Sequence, residues 1–460
     1  MSLYAIILAA GQGTRMKSDL PKVLHTALGK PMIQWVLDSV VPLQPEKILV
    51  VVGHGAEAVS ATLPPGTIAV HQEPQLGTGH AVQLAMAEVA DSPDDTILVV
   101  NGDMPLLGGS LLGRTIAARE GKAASMVSFQ AEDPTGYGRI VRDVRGELVR
   151  VVEEKDASHS ERQLQEVNAG VYAFSAGALR RALSHNDRNN AQNEHYLPDV
   201  IPAMIEEGGV AIVKAEPEEV AGVNSQDQLS SAEAQLRKRI NLDWQQRGVF
   251  MQDPDRVYID ASVTLAAGVR LYPGVHLEGN TVVSEGAVVG PEVYAIDSEI
   301  GPGSRVWYSV LRNARVGADV EVGPFASLRP GTVLAARSKA GTFVEMKNTS
   351  VGEGAKVPHL TYLGDATVGA RTNIGAGTIT CNYNGYEKLP TTIGEDVFVG
   401  SDTMFIAPVE IGDRAVTGAG SVITNDVPPG ALAVERSPQK EIPDYAQKLA
   451  ARYRNRRSED

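Results

Sequence analysis

The sequence predicts two unlike folds in one chain: an α/β domain with a Rossmann-like mixed sheet, then a helical linker, then an all-β parallel β-helix of hexapeptide repeats. Three observations predict this order. Short β-branched runs alternate with helical patterns in the first half. A stretch free of proline and glycine follows from Ser225 to Gln246. Beyond it, 24 of the 46 glycines fall within residues 257–431, where a six-residue period recurs. We expect domains at 1–226 and 249–460, joined by a helical linker at 227–248.

The first half alternates strand and helix signals in the way that a mostly parallel sheet requires. Strand signals lie at Tyr4 to Leu8, Lys47 to Val52, Thr67 to Val70 and Thr96 to Val100, and helical patterns at Met32 to Val40 and Ala81 to Val89. After Thr115 the strand signals come closer together, at Ala124 to Phe129, Gly138 to Arg142, Glu147 to Glu153 and Asn168 to Phe174. This closer spacing predicts a mixed sheet that extends the parallel one.

The second half repeats an aliphatic residue followed by glycine. The aliphatic members are Val289, Ile300, Val316, Val322, Val351, Val368, Ile374, Ile393, Val399 and Ile411. Several of their separations are six or twelve, a period that fits neither a helix at 3.6 nor a flat strand at 2. A triangular β-helix satisfies it, with one hexapeptide per face, about 18 residues per coil and roughly ten coils. The segment CNYNGYEKLPTT departs from this count, and we expect a projecting functional loop there.

Composition excludes several functional classes. The chain has 460 residues with 42 Lys and Arg against 56 Asp and Glu, and this net charge of -14 disfavours nucleic acid and anionic lipid as partners. The single cysteine, Cys381, excludes an internal disulfide and a Cys-rich zinc site, which favours the reducing cytoplasm. No apolar stretch approaches 18 residues and no basic segment precedes the first apolar run, so we expect neither export nor an integral membrane segment.

The segment LAAGQGTRM, beginning at Leu8, has the composition of a phosphate-binding loop. Its glycines let backbone N–H groups approach phosphate oxygens, and Arg15 and Lys22 supply cations. The segment matches neither G-x-G-x-x-G nor the P-loop, so dinucleotide and Walker-type binding are not predicted. A second Gly-rich turn follows at Leu76 to Gly79, and Asp103 ends the most apolar strand. Together these parts predict a nucleoside triphosphate site with Mg²⁺, which prefers oxygen ligands.

A second set of polar residues lies within the repeat region. Its members are Arg329, Lys347, His359, Tyr362, Asn373 and Lys388. Several separations are near whole hexads, so these residues could stack along one edge of the β-helix. His359 is the candidate general base, because a neutral imidazole accepts a proton near neutral pH. Cys381 lacks a local basic partner and is predicted to be a bystander. The basic tail, Lys448 to Arg457, is interpreted mainly as a solvated helix or a disordered end.

Long motifs give the chain a family resemblance from about Leu3 to Arg436. They read LPKVLHT, QLGTGHA, DPTGYGRI, FVEMKN, HLTYLGDA, NIGAGTITCNY and DVFVGSDT. The first domain resembles the sugar-1-phosphate nucleotidyltransferases, and the whole chain resembles the bacterial bifunctional N-acetylglucosamine-1-phosphate uridyltransferase/glucosamine-1-phosphate acetyltransferases. The resemblance implies a left-handed β-helix, a homotrimer, and synthesis of UDP-N-acetylglucosamine for peptidoglycan and lipopolysaccharide. Its substrates would be UTP, glucosamine 1-phosphate, N-acetylglucosamine 1-phosphate and acetyl-CoA.

The resemblance also assigns residues position by position. For UTP and UDP-N-acetylglucosamine it implies Leu8, Ala9, Ala10, Gly11, Lys22, Gln72, Gly77, Thr78, Asn101, Gly102, Asp103, Gly138, Glu153, Asn168 and Asn224, with Arg15 and Lys22 catalytic and Asp103 and Asn224 holding Mg²⁺. For glucosamine 1-phosphate it implies Arg329, Lys347, Tyr362, Asn373 and Lys388, with His359 as the catalytic base. For acetyl-CoA it implies Ala376, Asn382, Tyr383, Ser401, Ala419 and Arg436. Asn101 stands where some relatives have an aromatic residue, a change expected to tune the pocket.

Two alternatives stay open at this point. In the first, the chain is a sugar-1-phosphate nucleotidyltransferase whose β-helix is purely structural or regulatory. In the second, the β-helix is a non-enzymatic binding module, against which the polar cluster argues. Loss of acetyl transfer in His359→Ala, with uridylyl transfer retained, would eliminate the first.

Overall fold

The computed structural model describes residues 1–184 and 194–456. The chain forms two compact units. One consists of Met1–Asp243 with Ile259–Ala261, and the other of Trp244–Tyr258 with Ser262–Asp460. The predicted change of fold class along the chain is confirmed, because the first unit is a mixed α/β structure and the second is built of parallel strands.

The first unit is organised around a nine-stranded mixed sheet. Its strands are β1 Leu3–Ala9, β2 Lys47–Val52, β3 Thr67–His71, β4 Thr96–Asn101, β5 Ala124–Gln130, β6 Arg139–Arg142, β7 Leu148–Val152, β8 Glu166–Ser175 and β9 Val210–Lys214. The order is β9-β5-β8-β4-β1-β2-β3, with β6 paired to β8 and β7. Strands β4, β1, β2 and β3 are mutually parallel, whereas β8 is antiparallel to both of its neighbours β4 and β5. A two-stranded hairpin at Thr26–Ala27 and Lys30–Pro31 lies apart from this sheet.

Helices cover both faces of the sheet. They are α1 Met32–Val40, α2 Ala56–Ser60, α3 Thr78–Ala85, α4 Gly109–Ala118, α5 Ala176–Ser184, α6 Ile201–Glu207, α7 Pro217–Val220 and α8 Gln226–Gln246. Alternate residues of β1 point to opposite faces, so Ile6 joins the core under α3, α5 and α6, and Ile7 joins the core under α1 and α4. The strands are therefore apolar on both faces, and ligands must bind at their ends.

The first unit also contains short 3₁₀ segments, and both ends of its helix α3 differ from the predicted ends. Within the described residues, the first unit has 3₁₀ segments at Thr14–Met16, Lys22–Leu24, Val41–Leu43, Met86–Glu88, Glu161–Gln163 and Leu197–Val200, and the second unit has one at Pro254–Arg256. Helix α3 begins three residues earlier than the apolar pattern predicted, directly after Gly77, whose φ of 101° ends the preceding turn. It gives way to 3₁₀ geometry at Met86.

Helix α8 packs against the first unit. Its buried residues Ala232 and Leu236 join Met16, Leu28 and Val223 in a small apolar cluster. Apart from the buried Asn241, the rest of the helix is mostly polar and at least partly exposed. A narrow apolar stripe on an otherwise polar helix is the pattern of a helix lying on a domain surface.

The second unit is a triangular β-helix, and each of its three faces is a parallel β-sheet. Face 1 consists of Phe250–Met251, Arg270–Leu271, Val288–Val289, Arg305–Val306, Glu321–Val322, Lys339–Thr342, Lys356–His359, Asn373–Ile374, Phe398–Val399, Val416–Thr417 and Leu432–Ala433. Face 2 consists of Val257–Ile259, Val275–Glu278, Tyr294–Ile296, Val310–Arg312, Ser327–Leu328, Glu345–Lys347, Tyr362–Gly364, Ile379–Cys381, Met404–Ile406 and Val422–Ile423. Face 3 consists of Thr264–Leu265, Val282–Val283, Glu299–Ile300, Arg315–Val316, Val333–Leu334, Ser350–Val351, Ala366–Val368, Thr391–Ile393 and Val409–Ile411. Each strand pairs in parallel with the strand one coil later, consistent with a left-handed β-helix.

The hexapeptide period has the predicted physical basis. All ten of the aliphatic residues that precede glycine are at most 3% exposed and fill the interior of the prism. The glycines are required because the next coil passes close by. A Cβ on Gly369 would meet the backbone of Gly394, and one on Gly375 would meet the backbone nitrogen of Ser401. Any larger residue at these positions would push successive coils apart.

Beyond the β-helix lies α9 Tyr445–Arg456, whose side chains are exposed through Arg454. This exposure agrees with the interpretation of the basic tail as a solvated helix. Arg457, which is part of the same tail, lies outside the described residues. In the described part of the chain, no helix has the length and apolar character needed to cross a bilayer.

Candidate active sites

A cavity of about 490 Å³ opens in the first unit at the carboxyl ends of β1 and β4. The sheet order reverses at this point, which is where open α/β sheets bind ligands. Its lining includes eleven of the sequence-predicted residues: Leu8, Ala9, Ala10, Gly11, Lys22, Gln72, Gly77, Thr78, Asn101, Asp103 and Glu153. Six further lining residues were missed by the sequence reasoning: Gln12, Val23, Gln75, Ala81, Glu194 and Tyr196. Gln12 lies within LAAGQGTRM and Gln75 within QLGTGHA, so their position in these glycine-rich segments could have indicated that they line the cavity.

Backbone contacts fix the loop after β1. The Gly102 N–H donates to the Leu8 carbonyl at 2.9 Å, so the ends of β1 and β4 stay together. Gly13 adopts a φ of 63°, and a Cβ there would collide with the Lys22 side chain. Glycine at this position therefore allows Lys22 to cross the loop and reach the cavity.

Two cations and two oxygen ligands form a continuous polar chain at the cavity. The Lys22 ammonium pairs with the Asp103 carboxylate and also donates to Asn224 Oδ1 at 3.0 Å. The Arg15 guanidinium donates to the same Asn224 oxygen at 2.9 Å. The structure thus brings the predicted phosphate-neutralising residues and the predicted metal ligands together, although Lys22 and Asn224 are 202 residues apart.

The donor set at this point suits a hard divalent ion. Asp103 and Asn224 offer a carboxylate and an amide oxygen, and Mg²⁺ takes few protein ligands when phosphates and water complete its shell. Among the described residues, no group of three or more His, Cys, Asp and Glu side chains could hold a metal. This does not conflict with Mg²⁺ at the site, because one carboxylate with substrate phosphates is enough.

The three residues predicted to hold the amino sugar lie together. Asn168 N–H donates to the Gly138 carbonyl at 2.8 Å. Glu153 Oε1 lies 3.1 Å from the point where a Cβ of Gly138 would stand, so glycine leaves room for this carboxylate. Asn168 Nδ2 donates to Tyr172 Oη at 2.5 Å. The cluster therefore presents a carboxylate and amide groups beside an open backbone, which suits sugar hydroxyls.

Electrostatics at Glu153 are unusual. Burial, together with the carboxylates of Asp199 and Asp156, raises the pKa of Glu153 to about 7. Burial and Asp156 likewise raise the pKa of Asp199 to about 6. Each further negative charge in this partly desolvated corner disfavours the ionised forms. Glu153 can therefore change protonation state near neutral pH.

On the β-helix, register places most of the second predicted set on two adjoining faces. Strand pairing aligns Asn373 with Phe398 and Phe398 with Val416 on face 1, so the residues three positions later, Ala376, Ser401 and Ala419, share one column. Lys356 pairs with Asn373, which puts His359 in the same column one coil earlier. Arg436 Nη1 donates to the Ala419 carbonyl at 2.9 Å and extends the column. The column from His359 to Ala419 spans three strand spacings, about 14 Å.

Face 2 carries a cluster of positive charge. Arg329 and Lys347 occupy equivalent positions on successive coils, since Leu328 pairs with Met346. The nearby Lys388, and to a smaller extent burial and Arg329, hold the pKa of Lys347 below its usual value. Arg329 pairs with Glu345 at 2.7 Å. Three cations this close together create a site for a doubly charged anion.

The loop that breaks the repeat delivers Lys388 to this cluster. Asn382 Nδ2 donates to the Asp365 carboxylate at 2.6 Å, and Leu389 N–H donates to the Asn382 carbonyl at 2.8 Å. Tyr383 and Lys388 form an antiparallel bridge. Although burial acts to raise it, hydrogen bonds from Asn348 and Asn382 lower the pKa of Asp365, with Lys388 adding to the effect. Asp365, which was not predicted, therefore anchors the loop as an ionised carboxylate.

The side chains next to the cation cluster differ in exposure and in reactivity. His359 is exposed, and its carbonyl accepts a hydrogen bond from Thr361 Oγ1 at 2.6 Å, which fixes the corner after it. Tyr362 Oη and Asn382 Nδ2 both lie over Gly364, where a Cβ would collide with them. Burial raises the pKa of the Cys381 thiol, so its nucleophilic thiolate form is disfavoured.

Comparison with known proteins identifies the family. Residues 5–171 match the MobA-like NTP transferase domain, and residues 390–425 match the bacterial transferase hexapeptide family with six repeats. A protein of Heliobacterium modesticaldum named "Bifunctional protein GlmU" is 46% identical over 440 residues, covering 95% of this chain and 96% of that protein. Proteins with the same name from Streptomyces avermitilis and Brevibacillus brevis are 46% and 44% identical, covering 95% and 97% of this chain and 92% and 98% of their own length. With relatives this similar along both units, the chain belongs to the family of the bifunctional protein GlmU.

Proposed function

We propose that the first unit transfers a uridylyl group from UTP to N-acetylglucosamine 1-phosphate, and that the second acetylates glucosamine 1-phosphate with acetyl-CoA. The observation that carries the first activity is the polar chain from Arg15 and Lys22 to Asp103 and Asn224, at the mouth of a nucleotide-sized cavity. For the second it is the cation cluster beside the column that starts at His359. The two activities make the chain a bifunctional transferase for UDP-N-acetylglucosamine synthesis, which supplies peptidoglycan and lipopolysaccharide precursors.

In the first site, positioning and charge neutralisation provide the catalysis. A phosphate oxygen of the sugar attacks the α-phosphorus of UTP, and the bond to pyrophosphate breaks. Arg15 and Lys22 offset the negative charge of the triphosphate, while Gly138, Glu153 and Asn168 hold the sugar in line. Mg²⁺ held by Asp103 and Asn224 would add further charge compensation.

In the second site, Arg329, Lys347 and Lys388 bind the sugar phosphate, and Tyr362 and Asn373 complete the sugar pocket. The neutral amine of glucosamine 1-phosphate attacks the thioester carbonyl, so an N–C bond forms and the C–S bond to CoA breaks. The His359 imidazole accepts the proton that the amine loses, and the CoA thiolate takes up a proton from solvent. Acetyl-CoA would lie along Ala376, Ser401 and Ala419, with Arg436 near its phosphates and Asn382 and Tyr383 at its side.

A homotrimer would complete the second site. Tyr308, Phe325, Phe343 and Leu360 occupy one corner on four successive coils and are 43–61% exposed. Ring centroids along this ladder lie 5.7 and 5.3 Å apart. Contiguous apolar surface of this kind favours contact with another subunit, and the ladder ends next to His359. A neighbouring copy would turn an open edge into a cleft. Because the substrates are cytoplasmic metabolites and the chain has one cysteine, we place the enzyme in the cytoplasm.

One experiment tests both activities. The purified protein is mixed with glucosamine 1-phosphate, acetyl-CoA, UTP and Mg²⁺, and CoA thiol and pyrophosphate are followed separately. We expect thiol release first and pyrophosphate release only after acetylation, with N-acetylglucosamine 1-phosphate removing the delay. Pyrophosphate release from N-acetylglucosamine 1-phosphate without any thiol release from glucosamine 1-phosphate would refute the acetyltransferase assignment.

A further inference from the structure

The amide of Gln72 is held in one orientation inside the nucleotide cavity. Gln72 follows β3 and is 5% exposed. Its Nε2 donates to the Gly77 carbonyl at 2.9 Å and lies 3.2 Å from His80 Nδ1. The amide atom that faces the Gly77 carbonyl must be the nitrogen, because two oxygens at this distance would repel each other.

This arrangement defines the state of His80. With both hydrogens of the Gln72 amide directed at acceptors, His80 Nδ1 must carry a lone pair, which places the imidazole proton on Nε2. In the part of the chain that the structure describes, no donor contacts Gln72 Oε1. What Gln72 can offer a ligand is therefore an acceptor and not a donor.

His80 is itself fixed by its helix. It lies in the first turn of α3, where Gly79 N–H donates to the His195 carbonyl at 2.7 Å. The Leu197 N–H donates to Thr78 Oγ1 at 3.0 Å. The segment that contains His195 and Leu197 thus clamps the start of α3, and His80 can act as a rigid second anchor for the Gln72 amide.

We propose that His80 is a positioning residue for base selection: it locks the Gln72 amide with its oxygen toward the ligand, so that the pocket accepts a base carrying an imide N–H. Uracil has this donor at N3, whereas cytosine has a lone pair at N3 that would face the Gln72 oxygen. A site that presents a fixed acceptor rejects a ligand that brings a second acceptor. The inference rests on the proposed placement of the uridine in this cavity and adds the residue that enforces its selection.

The test uses two nearly isosteric variants, His80→Asn and His80→Leu. Asn Oδ1 can replace Nδ1 as acceptor, whereas Leu cannot. Values of kcat/KM for UTP and CTP are measured with N-acetylglucosamine 1-phosphate, and acetyl transfer by the second unit checks that each variant is folded. We expect His80→Leu to lower the UTP-to-CTP ratio about five- to tenfold, the effect of one hydrogen bond, mainly through KM for UTP. We expect His80→Asn to restore most of the ratio.

The outcomes separate this inference from the site assignment beneath it. An unchanged ratio in His80→Leu, or an equal loss in both variants, would overturn the role of His80. The variant Gln72→Ala tests the placement of the base, and an unchanged ratio there would overturn both that placement and the inference. A reduced ratio in Gln72→Ala combined with the expected pattern at His80 supports the proposal. His54, whose backbone N–H contacts Ala10, provides a control as His54→Ala, which should retain the ratio.

Discussion

Lys22 contacts both of the oxygen-bearing side chains that we propose as Mg²⁺ ligands. Its ammonium contacts both Asp103 and Asn224, while Arg15 also donates a hydrogen bond to the Asn224 oxygen. A divalent ion held by these oxygens would displace the ammonium, and the proposed triphosphate would give the displaced lysine a new anionic partner. Metal and nucleotide should then bind with positive coupling. Replacing Lys22 by Met should therefore tighten metal binding to the nucleotide-free protein, even though it removes a group that we propose takes part in catalysis.

The magnitude follows from the contact that is lost. Both side chains of the Lys22–Asp103 pair are only 15% exposed, so water screens the interaction weakly. A hydrogen bond between charged groups is worth about 1.5–3 kcal/mol, which corresponds to a tenfold to hundredfold change in a binding constant. Removing the ammonium also removes a positive charge next to the incoming cation. We expect Mn²⁺, used as a probe, to bind Lys22→Met at least about tenfold more tightly than the unmodified protein.

The measurement is Mn²⁺ titration followed by electron paramagnetic resonance, without nucleotide and then with UTP. The coupling between Mn²⁺ and UTP should shrink in Lys22→Met because no lysine remains to be exchanged. Lys30→Met is the matched control, because Lys30 also forms an ion pair, with Asp38, and the substitution likewise removes one positive charge from the first unit. Equal or weaker Mn²⁺ binding in nucleotide-free Lys22→Met would refute the exchange.

Four further predictions concern the two sites and the packing of the β-helix. Asp103→Asn should abolish uridylyl transfer and spare acetylation, and His359→Ala should do the reverse; loss of both activities in either folded variant would show that the sites are not independent. Because the pKa of Glu153 is raised to about 7, affinity for N-acetylglucosamine 1-phosphate should rise between pH 6 and 8 as the better acceptor forms, and a Michaelis constant with the same pH dependence in Glu153→Gln would contradict this. The raised pKa also means that ionising Glu153 lowers stability as pH rises from about 4 through 7, so Glu153→Gln should melt higher than the unmodified protein at pH 8 but not at pH 4. Gly369→Ala should destabilise the β-helix by about 1–3 kcal/mol, because its Cβ would meet the backbone of Gly394; an unchanged denaturation midpoint would argue against the packing constraint.

The repeat could be predicted from the sequence because its cause is local. The ten inward aliphatic residues and their following glycines lie on faces 1 and 3, where a neighbouring coil passes close to each glycine. The columns on the surface were harder to predict, since coil length varies. Lys356 and Asn373 pair after 17 residues, while Asn373 and Phe398 pair after 25, because the loop after Cys381 is inserted between them. Only the backbone pairing shows that His359 and Ser401 share a column.

Most of the cavity residues that were predicted follow a strand or form a glycine-rich turn, whereas Glu153 was implied only by the family resemblance. What the sequence could not provide was the partner of each polar group. Lys22 meets Asn224 across 202 residues, and no periodicity links the two segments. The Gln72–His80 contact spans only eight residues, but it depends on how the turn at Gly77 folds back. Contacts of this kind arise from the convergence of strand ends, which spacing alone does not encode.

Both sites bring charged groups close together, but they do so with different architectures. In the first unit, converging strand ends enclose the polar groups, and burial together with neighbouring carboxylates raises the pKa of Glu153 to about 7. On the β-helix, successive coils place like charges side by side. The nearby Lys388 lowers the pKa of Lys347 although Lys347 is solvated. A convex prism can align groups in columns, but it cannot exclude water from them. The acetyl transfer that we propose at His359 would therefore benefit from a second surface over that residue, and the exposed ladder from Tyr308 to Leu360 is suited to contact a neighbouring copy there.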